Sequence, residues 1–285
     1  MNYIEEIKSE MIKQQYICDD ASATVLFLAQ QLKKPILVEG PAGVGKTTIA
    51  QAFAQTKGCS LIRLQCYEGI DESRALYEWN YKKQLLHIQA VANQNLDVAE
   101  VEKEVFTQEF LLTRPLLQAI TTPERSCLLI DEIDKADFEF EALLLELLSE
   151  FQVTLPELGT IKSQEIPWVF LTSNASRELS EALKRRCLYL YLDFPQPDVE
   201  KQIIELKVPG IGQHLAYQLS ESLNKIRKMN LRKKPGIAES IDWANALLAM
   251  GKESLDDQVI LDTLNVIIKY REDMQKVTAS MSKLN

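Results

Sequence analysis

The chain has 285 residues, 46% hydrophobic and 26% charged, the composition of an ordinary globular protein and enough length for one large core and a smaller second one. No stretch nears the ~20 uninterrupted apolar residues of a membrane span, and residues 1–16 scatter Glu5, Glu6, Lys8, Glu10 and Lys13 among isolated apolar ones, so a secretory signal is not expected and a cytoplasmic location is. With 41 acidic and 32 basic residues the net charge is -9, which repels nucleic acid unless basic groups gather on one face.

Short apolar runs at 36–38, 61–64, 128–130, 169–171 and 188–192 predict strands, and the helical segments between most of them describe a parallel α/β sheet. A helix is expected over 47–56, where the glycines after the first strand stop. Another is expected over 138–151, where leucines at 143, 144, 147 and 148 back onto acidic residues. After Asp193-Phe194-Pro195-Gln196-Pro197 the strand signals cease, and two prolines in three residues predict a boundary, giving domains at 1–196 and 197–285. Beyond it the spacing predicts only helices, over 215–226, 241–250 and 255–268. Five scattered cysteines (Cys18, Cys59, Cys66, Cys127, Cys187) without a C-x-x-C pair read as small buried hydrophobes rather than a disulfide or zinc framework. The basic cluster Arg227, Lys228, Arg232, Lys233 and Lys234 lies between helical patterns and reads as a solvated loop.

The strongest chemical signal follows the first strand. Gly40-Pro41-Ala42-Gly43-Val44-Gly45-Lys46-Thr47 fits G-x-x-x-x-G-K-[ST] between a strand and a helix, the context this phosphate-binding loop requires. Its glycines let backbone N–H groups curl around phosphates, Lys46 reaches the β and γ phosphates of ATP, Thr47 ligates Mg2+, and Thr48 continues the cradle into the helix N-terminus. The run Cys127-Leu128-Leu129-Ile130 ends in Asp131-Glu132, where Asp131 can support the magnesium shell and Glu132 can polarise an attacking water. An acidic pair at a strand end is commonly a solvated boundary, and the phosphate loop upstream is what gives this pair chemical meaning. The strand at 168–171 runs into Thr172-Ser173-Asn174, so Asn174 can orient the water or sense the γ phosphate; alone, it would be a turn former. Lys184-Arg185-Arg186 close a short helix, as dipole caps or as a cation offered to a neighbouring subunit's γ phosphate. His87 and His214 fall in helical segments away from these motifs and read as surface or packing residues.

In that order, P-loop, Asp131-Glu132, Asn174, Arg185-Arg186 and then helices, the chain resembles the AAA+ ATPases over nearly its whole length. Its details resemble the MoxR branch: Gln65-Cys66-Tyr67-Glu68-Gly69 with Ala75-Leu76-Tyr77-Glu78-Trp79-Asn80-Tyr81, Leu155-Pro156-Glu157-Leu158-Gly159, and the run from Leu179 to Cys187 followed by Asp193-Phe194-Pro195. The resemblance implies a five-stranded parallel sheet flanked by helices, a C-terminal helical lid, and assembly into rings, commonly hexamers, with ATP at subunit boundaries. It also implies Arg186 as the arginine finger with Arg185 behind it, Asn174 as the sensor, and Trp79 and Tyr81 in an insert facing a pore or client, unless they simply pack a small subdomain. One departure is the lid: many relatives carry a nucleotide-touching arginine where this chain has Ile237-Ala238-Glu239-Ser240-Ile241, so either Arg232, Lys233 or Lys234 substitutes or the lid couples more weakly.

The function expected from these features is ATP-driven remodelling of a protein partner, which in this branch is commonly a protein with a von Willebrand factor A domain. A DNA-associated motor or loader on the same core would need a basic track, against the net charge, and a nucleotide-gated scaffold would not need Glu132, Asn174 and Arg186. The guanine-reading N-K-x-D pattern does not occur.

Overall fold

Each of the five apolar runs forms a strand of one sheet. The structure, a computed structural model, describes residues 3–92 and 97–281. It starts with helices α1 (Tyr3–Lys13) and α2 (Asp20–Leu32), then β1 (Ile36–Glu39), α3 (Lys46–Thr56), β2 (Leu61–Gln65), α4 (Glu72–Ala75) and β3 (Tyr77–Trp79). Next come α5 (Tyr81–Val91), α6 (Val98–Val105), β4 (Leu111–Thr113), α7 (Pro115–Thr121), β5 (Cys127–Asp131), α8 (Phe138–Glu150), β6 (Gln152–Leu155) and β7 (Gly159–Lys162). The chain continues through β8 (Trp168–Ser173), α9 (Glu181–Arg186) and β9 (Leu188–Tyr191), and then through helices only: α10 (Pro197–Lys207), α11 (Gln213–Arg227), α12 (Ile237–Ala249), α13 (Asp257–Ile267) and α14 (Arg271–Met281). Among the described residues no helix is long and apolar enough to cross a membrane.

The chain forms two compact units. One comprises residues 21–39 and 53–190. It holds the five-stranded parallel sheet, in the order β2-β5-β8-β1-β9. Register aligns the carboxyl ends: Gln65 stands opposite Asp131, Ile130 opposite Leu171, and Glu39 opposite Ser173. The interior strand β5 is buried at every residue, as a strand covered on both faces must be, which is why its sequence is a continuous apolar run rather than an alternation. Helix α8 is capped by Asp137, whose side chain accepts the Phe140 N–H at 2.8 Å, and buries Phe140, Leu144, Leu147 and Leu148 at helical spacing in the same cluster as Leu128, Ile130 and Leu171. Each such fully buried side chain is worth about 1.5–3 kcal/mol.

Two small antiparallel sheets that the sequence reading did not anticipate complete this unit: β3 with β4, where Trp79 pairs with Leu111 across the intervening α5 and α6, and the hairpin of β6 with β7, where Val153 pairs with Ile161.

The other unit comprises the residues up to Asp20, 40–52, and Tyr191 onward. Its core gathers Leu215, Leu219 and Leu223 of α11, Trp243 and Leu247 of α12, and Leu264 and Ile267 of α13. Two buried polar groupings are fully partnered. Trp243 Nε1 donates to Thr263 Oγ1 at 2.7 Å. Arg227 donates to both Glu200 carboxylate oxygens at 2.6 and 2.7 Å, to the Pro235 carbonyl at 2.8 Å and to Ser240 Oγ at 3.2 Å, with its guanidinium 4.8 Å above the Phe194 ring. Proline at the first position of α10 fits a site where the missing N–H has no partner to lose.

Candidate functional site: a phosphate loop and a strand-end carboxylate pair

The P-loop runs from the end of β1 into α3, whose first residue is Lys46, so the loop delivers its backbone to the positive end of an eleven-residue helix. Glycine is required at two points. A Cβ at Gly40 would lie 2.0 Å from the Leu192 carbonyl oxygen, and Gly43 has φ 81° with Gly236 Cα only 3.1 Å from where its Cβ would be. Lys46 Nζ donates to the carbonyls of Gly40 at 2.8 Å and Pro41 at 2.7 Å, which anchors the ammonium inside the loop's own curve. Val44 and Lys46 are buried, Ala42 is exposed, and Thr47 and Thr48 are partly buried in the first turn of α3. A positive-φ loop, an ammonium, a helix N-terminus and a first-turn hydroxyl form a donor set suited to a triphosphate and a hard cation.

The same unit brings the start of α12 onto this loop. Ile237 N–H donates to the Gly43 carbonyl at 2.7 Å, and a Cβ on Gly236 would sit 2.8 Å from both Gly43 Cα and O. Glu239 closes the turn by accepting the Gly236 N–H at 3.0 Å and Lys233 Nζ at 3.2 Å. Burial would raise the Glu239 carboxyl, but the hydrogen bonds from its own N–H, from Lys233 and from Gly236 outweigh it and hold the group below the usual carboxylate range. Of the cations considered as replacements for a lid arginine, Lys233 is therefore paired with Glu239, Arg232 lies 4.4 Å over the Tyr270 ring, and Lys234 is exposed.

In the sheet unit, Asp131 is buried at the end of β5 and both its oxygens are held. Thr172 Oγ1 donates to Oδ1 at 2.5 Å, while Arg63 donates to Oδ2 through Nη2 at 2.5 Å and Nε at 3.0 Å. Glu132 leaves the strand in the left-handed region, φ 55° and ψ 50°, with its N–H donated to the same Thr172 hydroxyl at 2.9 Å. Such a backbone costs on the order of 1–3 kcal/mol for a residue with a Cβ, and it clusters at functional sites. Asp134, one turn on, accepts the N–H groups of Asn174 at 3.2 Å and Ser176 at 3.0 Å and the Ser176 hydroxyl at 2.6 Å, so the turn after β5 fixes the loop after β8. Burial pushes the Asp134 carboxyl up, yet the Ser176 and Asn174 hydrogen bonds prevail and bring it below the usual range. Burial foremost, with the Asp131, Asp134 and Glu132 carboxylates adding, pushes the Cys66 thiol up to about 12, an electrostatic mark of the negative charge gathered at this sheet edge.

Arg185 and Arg186 close α9, a helix started by Ser180, whose N–H donates to Glu141 Oε2 at 2.9 Å. Both arginines are exposed, and among the described residues neither side chain makes a hydrogen bond or ion pair. The sequence-predicted residues thus fall into three groups: the P-loop in one unit, and in the other the linked set Asp131, Glu132 and Asn174 together with the exposed α9 arginines.

Residues 35–187 match the AAA domain family in its dynein-related subfamily, more than half of the chain. The chain belongs to this family. The matched span contains every site residue from Gly40 to Arg186, while α10 to α14 lie outside it. Full-length relatives of this AAA domain protein include an uncharacterized protein of Staphylococcus haemolyticus, 26% identical over 89% of this chain and 94% of the relative. Another, from Staphylococcus epidermidis, is 25% identical over 88% and 90%. Among solved structures the fold is shared with a variant of the RuvB protein of Thermotoga maritima, at a TM-score of 0.50 and 18% identity, over 92% of this chain and 70% of that one.

Within the AAA domain, Thr172, Arg63 and Asp134 are members of the site that sequence reasoning did not name. Arg63 and Thr172 lie 68 and 41 residues from Asp131, and only strand register relates them. Asp134 carried a faint signal as the second aspartate of Asp131-Glu132-Ile133-Asp134. The two insert aromatics separate: Trp79 is 7% exposed and stacks edge-on at 5.2 Å with Phe106, while Tyr81 is 61% exposed at the start of α5. Cys18, Cys66 and Cys127 are buried, and Cys59 and Cys187 partly so.

Proposed function

We propose that this AAA domain protein is a MoxR-like AAA+ ATPase that binds MgATP, hydrolyses the β–γ phosphoanhydride and uses the cycle to remodel a protein partner. Residues 1–196 would form the nucleotide-binding domain and 197–285 the helical lid. The observation that carries the reading is the strand–P-loop–helix unit, in which Gly40 to Gly45 link β1 to a helix beginning at Lys46. Backbone N–H groups of the loop bind the phosphates, and Lys46 moves from its carbonyl anchors to the β and γ oxygens. Thr47 and Asp131 would hold magnesium, which would supply neutralisation of phosphate charge. Glu132 polarises the attacking water and Asn174 orients it against the γ phosphate.

Arg186 acts in trans on the nucleotide of a neighbouring subunit, in a hexameric ring, with Arg185 as its fallback; their exposure suits that role. The partner is a protein, in this branch commonly one with a von Willebrand factor A domain, and an acidic chain in the cytoplasm favours it over nucleic acid. Binding and turnover measured on Lys46→Ala and Glu132→Gln test the assignment. The first should abolish nucleotide binding and the second should preserve it while stopping hydrolysis; wild-type turnover in Glu132→Gln would refute the catalytic role.

A further inference from the structure

We infer that Thr172 is the positioning residue of the carboxylate pair, one buried hydroxyl that sets both the orientation of Asp131 and the backbone of Glu132. The inference rests on the ATPase reading and deepens it.

Thr172 is 1% exposed on β8, the strand beside β5, and because Ile130 faces Leu171 the next positions outward along the two parallel strands are Asp131 and Thr172. Its hydroxyl has a single proton. An ionised carboxylate only accepts and a backbone N–H only donates, so the directions are forced: Glu132 N–H to Thr172 Oγ1 at 2.9 Å, and Thr172 O–H to Asp131 Oδ1 at 2.5 Å. Bonds in such a chain polarise one another and strengthen. Threonine is branched at Cβ, so χ1 is restricted on a strand and the hydroxyl direction is inherited from the sheet rather than chosen by a mobile side chain.

The two ends of this chain matter for different reasons. At one end, Asp131 Oδ2 is already taken by Arg63 from β2, so the carboxylate is held from both neighbouring strands and its plane is fixed before any cation arrives. At the other end, Glu132 occupies φ 55°, a conformation that disfavours a side chain, and the Thr172 bond is a direct restraint on the peptide that enters it. Removing the hydroxyl should therefore disturb magnesium support and the aim of the glutamate together, while the P-loop's own grip on phosphate is left alone. Valine supplies the same shape without the hydroxyl, and serine returns the hydroxyl without the methyl.

The test compares wild type, Thr172→Val, Thr172→Ala and Thr172→Ser by magnesium titration of the binding of a fluorescent ATP analogue, with turnover and melting temperature on the same samples. In EDTA, T172V should bind the analogue as the wild type does. Its magnesium midpoint should rise by about tenfold or more, the scale of a hydrogen bond to a charged group. Turnover should fall about 100-fold, as expected when a reacting group is misplaced, and T172S should recover most of both. T172A, which adds no strain, serves if valine disturbs packing. A lowered melting temperature with an unchanged magnesium midpoint and turnover would mean that Thr172 only packs, and would overturn the inference. Equal losses in T172S and T172V would overturn it as well, since shape rather than the hydroxyl would then matter. A wild-type protein that neither binds nor turns over MgATP would refute the ATPase reading itself, an outcome distinct from a normal wild type with a normal T172V.

Discussion

Replacing Arg227 with methionine should destabilise the unit containing α10 to α14 severely, and replacing its partner as well should restore it. Arg227 and Glu200 are 6% and 0% exposed at the side chain, so water cannot substitute for either. The substitution removes both charge-assisted bonds to Glu200, the donors to the Pro235 carbonyl and Ser240, and the cation over Phe194. Leaving a buried carboxylate without its countercharge costs about 3–5 kcal/mol, a fall in melting midpoint of about 6–20 °C at a few degrees per kcal/mol. In the double variant Glu200→Leu/Arg227→Met no charge is stranded, and Ser240 keeps its bond to the Gly236 carbonyl at 2.9 Å, so stability should return to within about 2 kcal/mol of wild type. Thermal denaturation followed by circular dichroism, completed as a double-mutant cycle, gives the answer. A single variant within about 1 kcal/mol of wild type, or a double variant no better than the single, would refute the argument that removing one partner strands a buried charge.

Arg186→Ala should bind ATP normally yet lose turnover, and wild-type activity per subunit should climb with concentration as scattering reports assembly; full activity in a dilute monomer would contradict a finger supplied in trans. Arg63→Met should tighten the magnesium midpoint severalfold, opposite to T172V, because a cation no longer occupies Asp131 Oδ2; without magnesium it should lower stability by about 1–3 kcal/mol in urea unfolding, since the carboxylate it leaves is only 4% exposed while the guanidinium is 51% exposed and screened. Gly236→Ala should cost about 1–3 kcal/mol in urea unfolding, as its Cβ meets Gly43 backbone atoms at 2.8 Å. Asp134 has its carboxyl held below the unfolded value, so its contribution is complete above the ordinary carboxylate range and is lost as pH falls through the lower folded value. Acid unfolding of Asp134→Asn should accordingly show a shallower loss of stability below about pH 4 than wild type, and identical slopes would count against the hydrogen-bond account.

The sheet was legible because its strands are apolar on both faces: the runs at 36–38, 61–64, 128–130, 169–171 and 188–192 all lie within or overlap observed strands. The P-loop was legible because it is local in sequence, and α3 begins at Lys46, one residue before the expected start. The two small antiparallel sheets escaped notice for the converse reason. β3 and β4 have three residues each and β7 is mostly exposed, so neither periodicity nor hydrophobicity rises above that of a loop. Around the carboxylates, Asp131, Glu132 and Asn174 announce themselves by standing at strand ends. Arg63 reads as an ordinary strand residue until register lays Gln65 against Asp131, and Thr172 as an ordinary strand threonine until Ile130 meets Leu171. The chain likewise carries no mark that Trp79 turns inward while Tyr81 turns out.

The approach of α12 to the P-loop is made by main-chain atoms, an N–H on Ile237 and a carbonyl on Gly43, where Gly236 and Gly43, two residues that lack a Cβ, come together. Such a joint is written in the absence of side chains. A substitution survey of this stretch would find wide tolerance at exposed Ala238 and almost none at Gly236 or Gly43, a pair of silent positions that record a contact no side-chain motif could advertise.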